Sequence, residues 1–65
     1  MPPLYTFHSF DIHGAPVALQ AAELSSEGAV AAQADRVLAE HLSAAYVVAC
    51  EGERELLTRR RGDAV

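Results

Sequence analysis

Residues 24–45 read LSSEGAVAAQADRVLAEHLSAA, and their pattern says more about the architecture than that of any other segment. Most of its residues are alanine, leucine, glutamate, glutamine or arginine, all of which favour helix. At about 100° per residue, its apolar side chains fall on one side. They are Val30, Ala31, Ala34, Val37, Leu38, Leu42 and Ala45. The pattern predicts an amphipathic helix, with Ser25 or Ser26 capping its first turn.

Two strand-like segments flank the helix on each side. Residues 4–11 (LYTFHSFD) and 44–51 (AAYVVACE) are rich in aromatic and β-branched residues, which predicts two strands with apolar groups on both faces. Residues 55–59 predict a last, short strand after a turn at Gly52. Residues 17–23 (VALQAAE) predict a weaker strand, and their alanines leave open the alternative that this segment extends the helix.

The element order predicts an α+β fold, ββαββ, with one helix packed on one face of a mostly antiparallel four-stranded sheet. The long helix connection would permit the first and last strands to pair in parallel at the centre. The sequence leaves that strand order open. Residues 1–65 form a single domain, in which residues 1–3 and 60–65 are expected to be frayed.

Composition excludes several classes of protein. One cysteine, Cys50, cannot form an internal disulfide and lies in an apolar run, which favours a buried thiol in a reducing compartment. The net charge of −4 argues against a nucleic-acid surface on the main body. The N-terminal residues do not resemble a signal peptide, and no apolar run reaches the length of a membrane span. We therefore expect a cytoplasmic protein that does not contact membranes.

The chain resembles a family of short bacterial proteins that is catalogued as a domain of unknown function. That family has an aromatic first strand, an acidic glycine turn, an alanine- and arginine-rich helix, and a final Leu-Leu strand. The residues that carry the resemblance are Tyr5, Phe7, His8, Asp11, Gly14, Leu24, Ala34, Leu38, Glu51, Gly52, Leu56 and Leu57. The resemblance implies the ββαββ fold, and it implies no activity, ligand or catalytic residue.

No pattern in the chain predicts catalysis or a cofactor. His8, Asp11 and His13 have suitable ligand chemistry for a metal ion, but two histidines five residues apart on a strand face opposite ways. We therefore predict no metal. His41 is interpreted as a half-buried side chain near the C-terminal end of the helix, where its partial charge suits the helix dipole.

The sequence leaves two functional hypotheses. The first is a non-enzymatic protein–protein interaction module that forms a homodimer, because one helix can cover only one face of the sheet. Phe10, Tyr46 and Val48 would then remain uncovered and provide the interface. The alternative is a small regulator that contacts nucleic acid through Arg59, Arg60 and Arg61, the basic run near the C-terminus.

Overall fold

The structure is a computed structural model that describes residues 4–61. Within them, two hairpins flank one helix, which confirms the predicted ββαββ order and the α+β class. The elements are β1 (Leu4–Phe10), β2 (Pro16–Glu23), α1 (Gly28–Glu40), β3 (Tyr46–Glu51) and β4 (Arg54–Arg60). No helix in this part of the chain is both long enough and apolar enough to cross a membrane.

The second segment is a strand, as the sequence favoured. Strand β2 pairs antiparallel with the whole length of β1, from Leu4 opposite Glu23 to Phe10 opposite Pro16. Backbone pairing along this length outweighs the weak strand preference of its alanines. The connecting turn begins at Asp11, whose Oδ1 accepts hydrogen bonds from the backbone N–H groups of His13 and Ala15 at 2.8 and 2.9 Å.

The helix is shorter than the apolar pattern of residues 24–45 predicted. Its N-cap is Glu27, and no side chain forms a capping hydrogen bond. The prediction that Ser25 or Ser26 caps the first turn was therefore wrong. His41 is the C-cap. Leu42, expected on the apolar side, lies beyond the helix and is 82% exposed. The helix can end at Glu40 because Arg61, outside the helix, donates hydrogen bonds to the carbonyl oxygens of Leu38 and His41.

The strand order is β2-β1-β3-β4, and every neighbouring pair is antiparallel. The central pair is therefore the first and third strands, and not the parallel pair of first and last strands that the sequence left open. The short turn through Gly52 keeps β4 beside β3, and of these two strands the more buried and more apolar β3 pairs with β1, while the charged and more exposed β4 takes the edge. Gly52 has φ 61°, in the left-handed region that favours glycine.

Helix α1 covers one face of the sheet, and the core lies between them. Side chains from the two central strands meet side chains from one side of the helix. They are Tyr5, Phe7, Val47 and Ala49 from the sheet, and Val30, Ala34, Val37 and Leu38 from the helix. All of these are buried. The small residues Ala34 and Ala49 let the helix approach the sheet closely.

The chain after β4 begins differently from the frayed tail that was expected for residues 60–65. Arg60 closes β4, and the backbone N–H of Arg61 donates to the carbonyl oxygen of Ala45 at 2.8 Å. The structure therefore gives Arg60 and Arg61 defined places, whereas fraying was expected from residue 60 onwards. The rest of that tail, 62–65, and the N-terminal 1–3 lie outside the described residues.

Candidate interaction surface

The sheet has a second face, turned away from α1, which we call the open face. Side chains alternate along each strand, so the face opposite Phe7 and Val47 carries the neighbours of those residues. Phe10, Tyr46 and Val48, the three predicted interface residues, all lie on it. Each is half-buried, because neighbouring strands flank it, although no helix within residues 4–61 lies over it.

An aromatic stack marks one end of the open face. Phe10 and Tyr46 are paired across β1 and β3, and their ring centroids lie 5.2 Å apart with an interplanar angle of 21°. Arg60, the partner of Tyr46 on β4, places its guanidinium carbon 5.3 Å from the centroid of the tyrosine ring. Stacking and cation–π contact both favour this arrangement of the three side chains.

The apolar surface continues across the sheet to its β2 edge. In the next row, Leu19 stands opposite His8, which stands opposite Val48. Leu19 is 65% exposed, and Val17 on the same edge is also exposed. Leu19 and Val17, together with Phe10 and Tyr46, give the open face a largely apolar area that includes one polar side chain, His8. Such areas on small proteins usually mark contact sites.

The arginine run does not form one basic surface. Arg59 points to the helix side, where its Nε lies 3.0 Å from Asp35 Oδ1. The N–H is not aimed at that oxygen, so the contact is an ion pair and not a directed hydrogen bond. Arg60 lies on the open face instead, as strand alternation requires. A nucleic acid would therefore meet Arg59 and Arg60 on opposite faces of the sheet, and not side by side.

Arg61 has a structural role that the sequence did not reveal. Its Nε donates to the carbonyl oxygen of Ala44 at 2.9 Å, and its Nη2 donates to the carbonyl oxygens of Leu38 and His41 at 2.6 and 2.9 Å. Carbonyl groups at a helix C-terminus have no partner inside the helix, and a cation there also suits the helix dipole. Arg61 therefore joins the end of β4 to the end of α1.

The three residues considered for metal binding serve other purposes. His8 lies among apolar neighbours on the open face, while the carboxylate of Asp11 is engaged by the turn backbone. Hydrogen bonds from Ala15 and then from His13 hold the pKa of Asp11 below its usual value. Within residues 4–61, no three potential ligand side chains come together in a way that could hold a metal ion.

The remaining candidate side chains also have identifiable positions. Imidazole Nε2 of His41 lies 2.8 Å from Nε2 of Gln20, so this residue links the helix end to β2. Cys50 is a free, half-buried thiol on the open face, between Thr6 and Glu55 in register. Burial raises the pKa of Tyr5, and the carboxylates of Glu51 and Glu27 add to the effect.

No family model, curated protein or solved structure matches this chain. The resemblance to a short bacterial family therefore stays a prediction. The functional proposal below is therefore based on the fold and on the open face.

Proposed function

We propose that this protein is a non-enzymatic interaction module that dimerises through the open face of its sheet. The observation that carries the proposal is the apolar character of that face on the two central strands. In an antiparallel sheet with one solvated face, the solvated side chains are normally polar. Here Phe10, Tyr46 and Val48 take those positions, beside the exposed Leu19.

The size of the open face fits a weak but specific dimer. Four strands about 4.8 Å apart and about seven residues long give a flat area of roughly 450 Å² per copy. Two copies packed face to face would bury on the order of 900 Å², which exceeds most incidental contacts and is at the low end for specific complexes. We expect a dissociation constant in the micromolar range or weaker, as for the transient contacts at the low end of interface size.

A second copy is the occupant that the chain itself favours. A 65-residue chain buries a smaller fraction of its surface than larger domains do, so a second apolar layer adds a relatively large stabilisation. A two-fold pairing brings an identical apolar face to that surface, and both faces are then buried at once. Cys50 is a free thiol, which fits the cytoplasm as the place where the dimer works.

Sedimentation equilibrium between about 1 µM and 1 mM protein tests the proposal, with a dimer expected in the upper part of this range. Phe10→Glu and Val48→Glu should each give a monomer, because the interface would then bury unpaired carboxylates. Two exposed leucines, only one of which lies on the open face, test whether the effect is specific to that face. Leu19→Glu, on the open face, should weaken the dimer, whereas Leu42→Glu, in the connection after α1, should leave it unchanged.

A wild-type chain that stays monomeric at 1 mM would refute the proposal. Equal effects of the two leucine substitutions would also count against it, since only one of them lies on the open face. Circular dichroism on each variant separates loss of association from loss of the fold.

A further inference from the structure

The register of the sheet arranges the open face in rows that run across the strands. Residues directly opposite each other in antiparallel strands share a face, so paired residues form continuous lines. Three such rows can be followed over β1, β3 and β4. They are Phe10, Tyr46 and Arg60; then His8, Val48 and Thr58; then Thr6, Cys50 and Glu55.

The charges on these three rows lie at opposite ends of β4. Arg60 ends the first row and Glu55 ends the third, while the middle row ends at the neutral Thr58. The hydroxyl of Thr58 donates to a carboxylate oxygen of Glu55 at 3.3 Å, which places both side chains on the same face. The open face thus has His8 and Val48 at its centre and one positive and one negative group along the β4 edge, while Glu23, opposite Leu4, adds a negative group at the β2 edge.

Two copies packed face to face can be related by a two-fold axis in either of two main directions. An axis parallel to the strands would lay β4 of one copy over β2 of the other and keep the rows in place. Arg60 would then face the end of β2 near Val17, and Glu55 would face Ala21. Each would lose solvent without gaining an opposite charge, which is unfavourable.

An axis that runs across the strands has the opposite result. It lays β4 over β4 and exchanges the first row with the third about the middle row. We infer that the dimer uses this axis, which passes over His8, Val48 and Thr58, so that Arg60 lies opposite Glu55 of the partner subunit. The inference rests on the proposed dimer and specifies its geometry.

This geometry also matches the shapes of the two outer rows. The aromatic stack of Phe10 and Tyr46 would meet the smaller side chains Thr6 and Cys50 of the partner subunit, so that large groups face small ones. Two-fold symmetry makes the arginine–glutamate pair occur twice, once at each end of the interface. Face-to-face sheets cross at about 30°, and the long arginine side chain accommodates that angle.

Charge exchange tests the assignment by sedimentation equilibrium at pH 8, above the range in which histidine normally titrates. Arg60→Glu and Glu55→Arg should each weaken dimerisation about tenfold or more, because each creates two like-charge contacts. The double variant R60E/E55R should recover a dissociation constant within about threefold of wild type. Neutral variants R60Q and E55Q should show smaller losses, and these losses should diminish at high salt.

The possible outcomes distinguish an incorrect axis from the absence of a dimer. A wild-type dimer whose affinity is unchanged by the single reversals, or a double variant that binds no more tightly than the single ones, would overturn the axis while leaving the dimer intact. A wild-type monomer would instead refute the dimer itself. Recovery in the double variant supports the axis across the strands, because in the other arrangement these two side chains never meet.

Discussion

The two faces of the sheet are built by the same strands and differ in what covers them. On the helix side, Phe7 and Val47 are completely buried beneath α1. On the open face, Phe10 and Val48 retain partial exposure and contact mainly their neighbours within the sheet. Similar apolar side chains therefore have different physical roles. The covered ones hold the chain folded, and the open ones are available for a second molecule.

The largest expected effect comes from replacing a phenylalanine on each face. Phe7→Ala removes a fully buried ring and should cost about 3–5 kcal/mol, most of the stability of a chain this small. Phe10→Ala removes a half-buried ring and should cost about 1–2 kcal/mol. Urea unfolding followed by circular dichroism, at a concentration where the chain is monomeric, measures both. Similar losses for the two would show that the faces contribute equally to folding.

A smaller difference is expected between the two consecutive arginines at the end of β4. Arg61→Met should cost about 1–2 kcal/mol, because it removes three hydrogen bonds to carbonyl oxygens near the end of α1, although that of His41 keeps its bond from the Ala44 N–H. At a concentration where the chain is monomeric, Arg60→Met loses only its contact with Tyr46 and should cost less than about 1 kcal/mol.

Thermal unfolding compares these two variants, and Arg61→Lys serves as a control for charge. Lysine keeps the cation but lacks the planar, branched donor group, so it should restore only part of the loss. A melting temperature for Arg61→Met equal to that of Arg60→Met would show that the hydrogen bonds of Arg61 contribute little.

The smallest expected changes in the free energy of unfolding come from one substitution on each face, and they are opposite in sign. Ser9 is 1% exposed on the helix side, and its hydroxyl has no hydrogen-bond partner among residues 4–61. Ser9→Ala should therefore stabilise the fold by up to about 1 kcal/mol. Thr6→Ala on the open face should destabilise it by less than about 1 kcal/mol, through loss of a β-branched side chain. Destabilisation by Ser9→Ala would indicate that the hydroxyl has a partner.

The fold could be predicted to the extent that it depends on local periodicity. Alternation along residues 4–11 assigned Tyr5 and Phe7 to one face and Phe10 to the other, and the structure has this division. The change of period near Leu24 predicted the helix, but not its end, which depends on contacts with a residue twenty positions away. The candidate surface was predictable because it follows from the same alternation, combined with the fact that a single helix covers a single face.

Arg61 shows why some contacts could not be predicted. In the sequence it is one of three similar arginines, and nothing local distinguishes it from Arg59. Its role arises only when β4 brings it beside the end of α1, where carbonyl groups lack partners. The same tertiary arrangement separates the arginine run among a helix-side ion pair, an aromatic ring on the open face, and the helix terminus.

The order of elements and the side chains that share a face could be read from the sequence alone, because both follow from the two- and 3.6-residue periods of the backbone. Only the tertiary structure decided that β1 and β3 lie at the centre, since strand order depends on which distant segments meet. It also decided where α1 ends, because the terminal carbonyls need donors from another part of the chain. Rows across the open face arise in the same way, since each row joins residues from strands that are far apart in sequence.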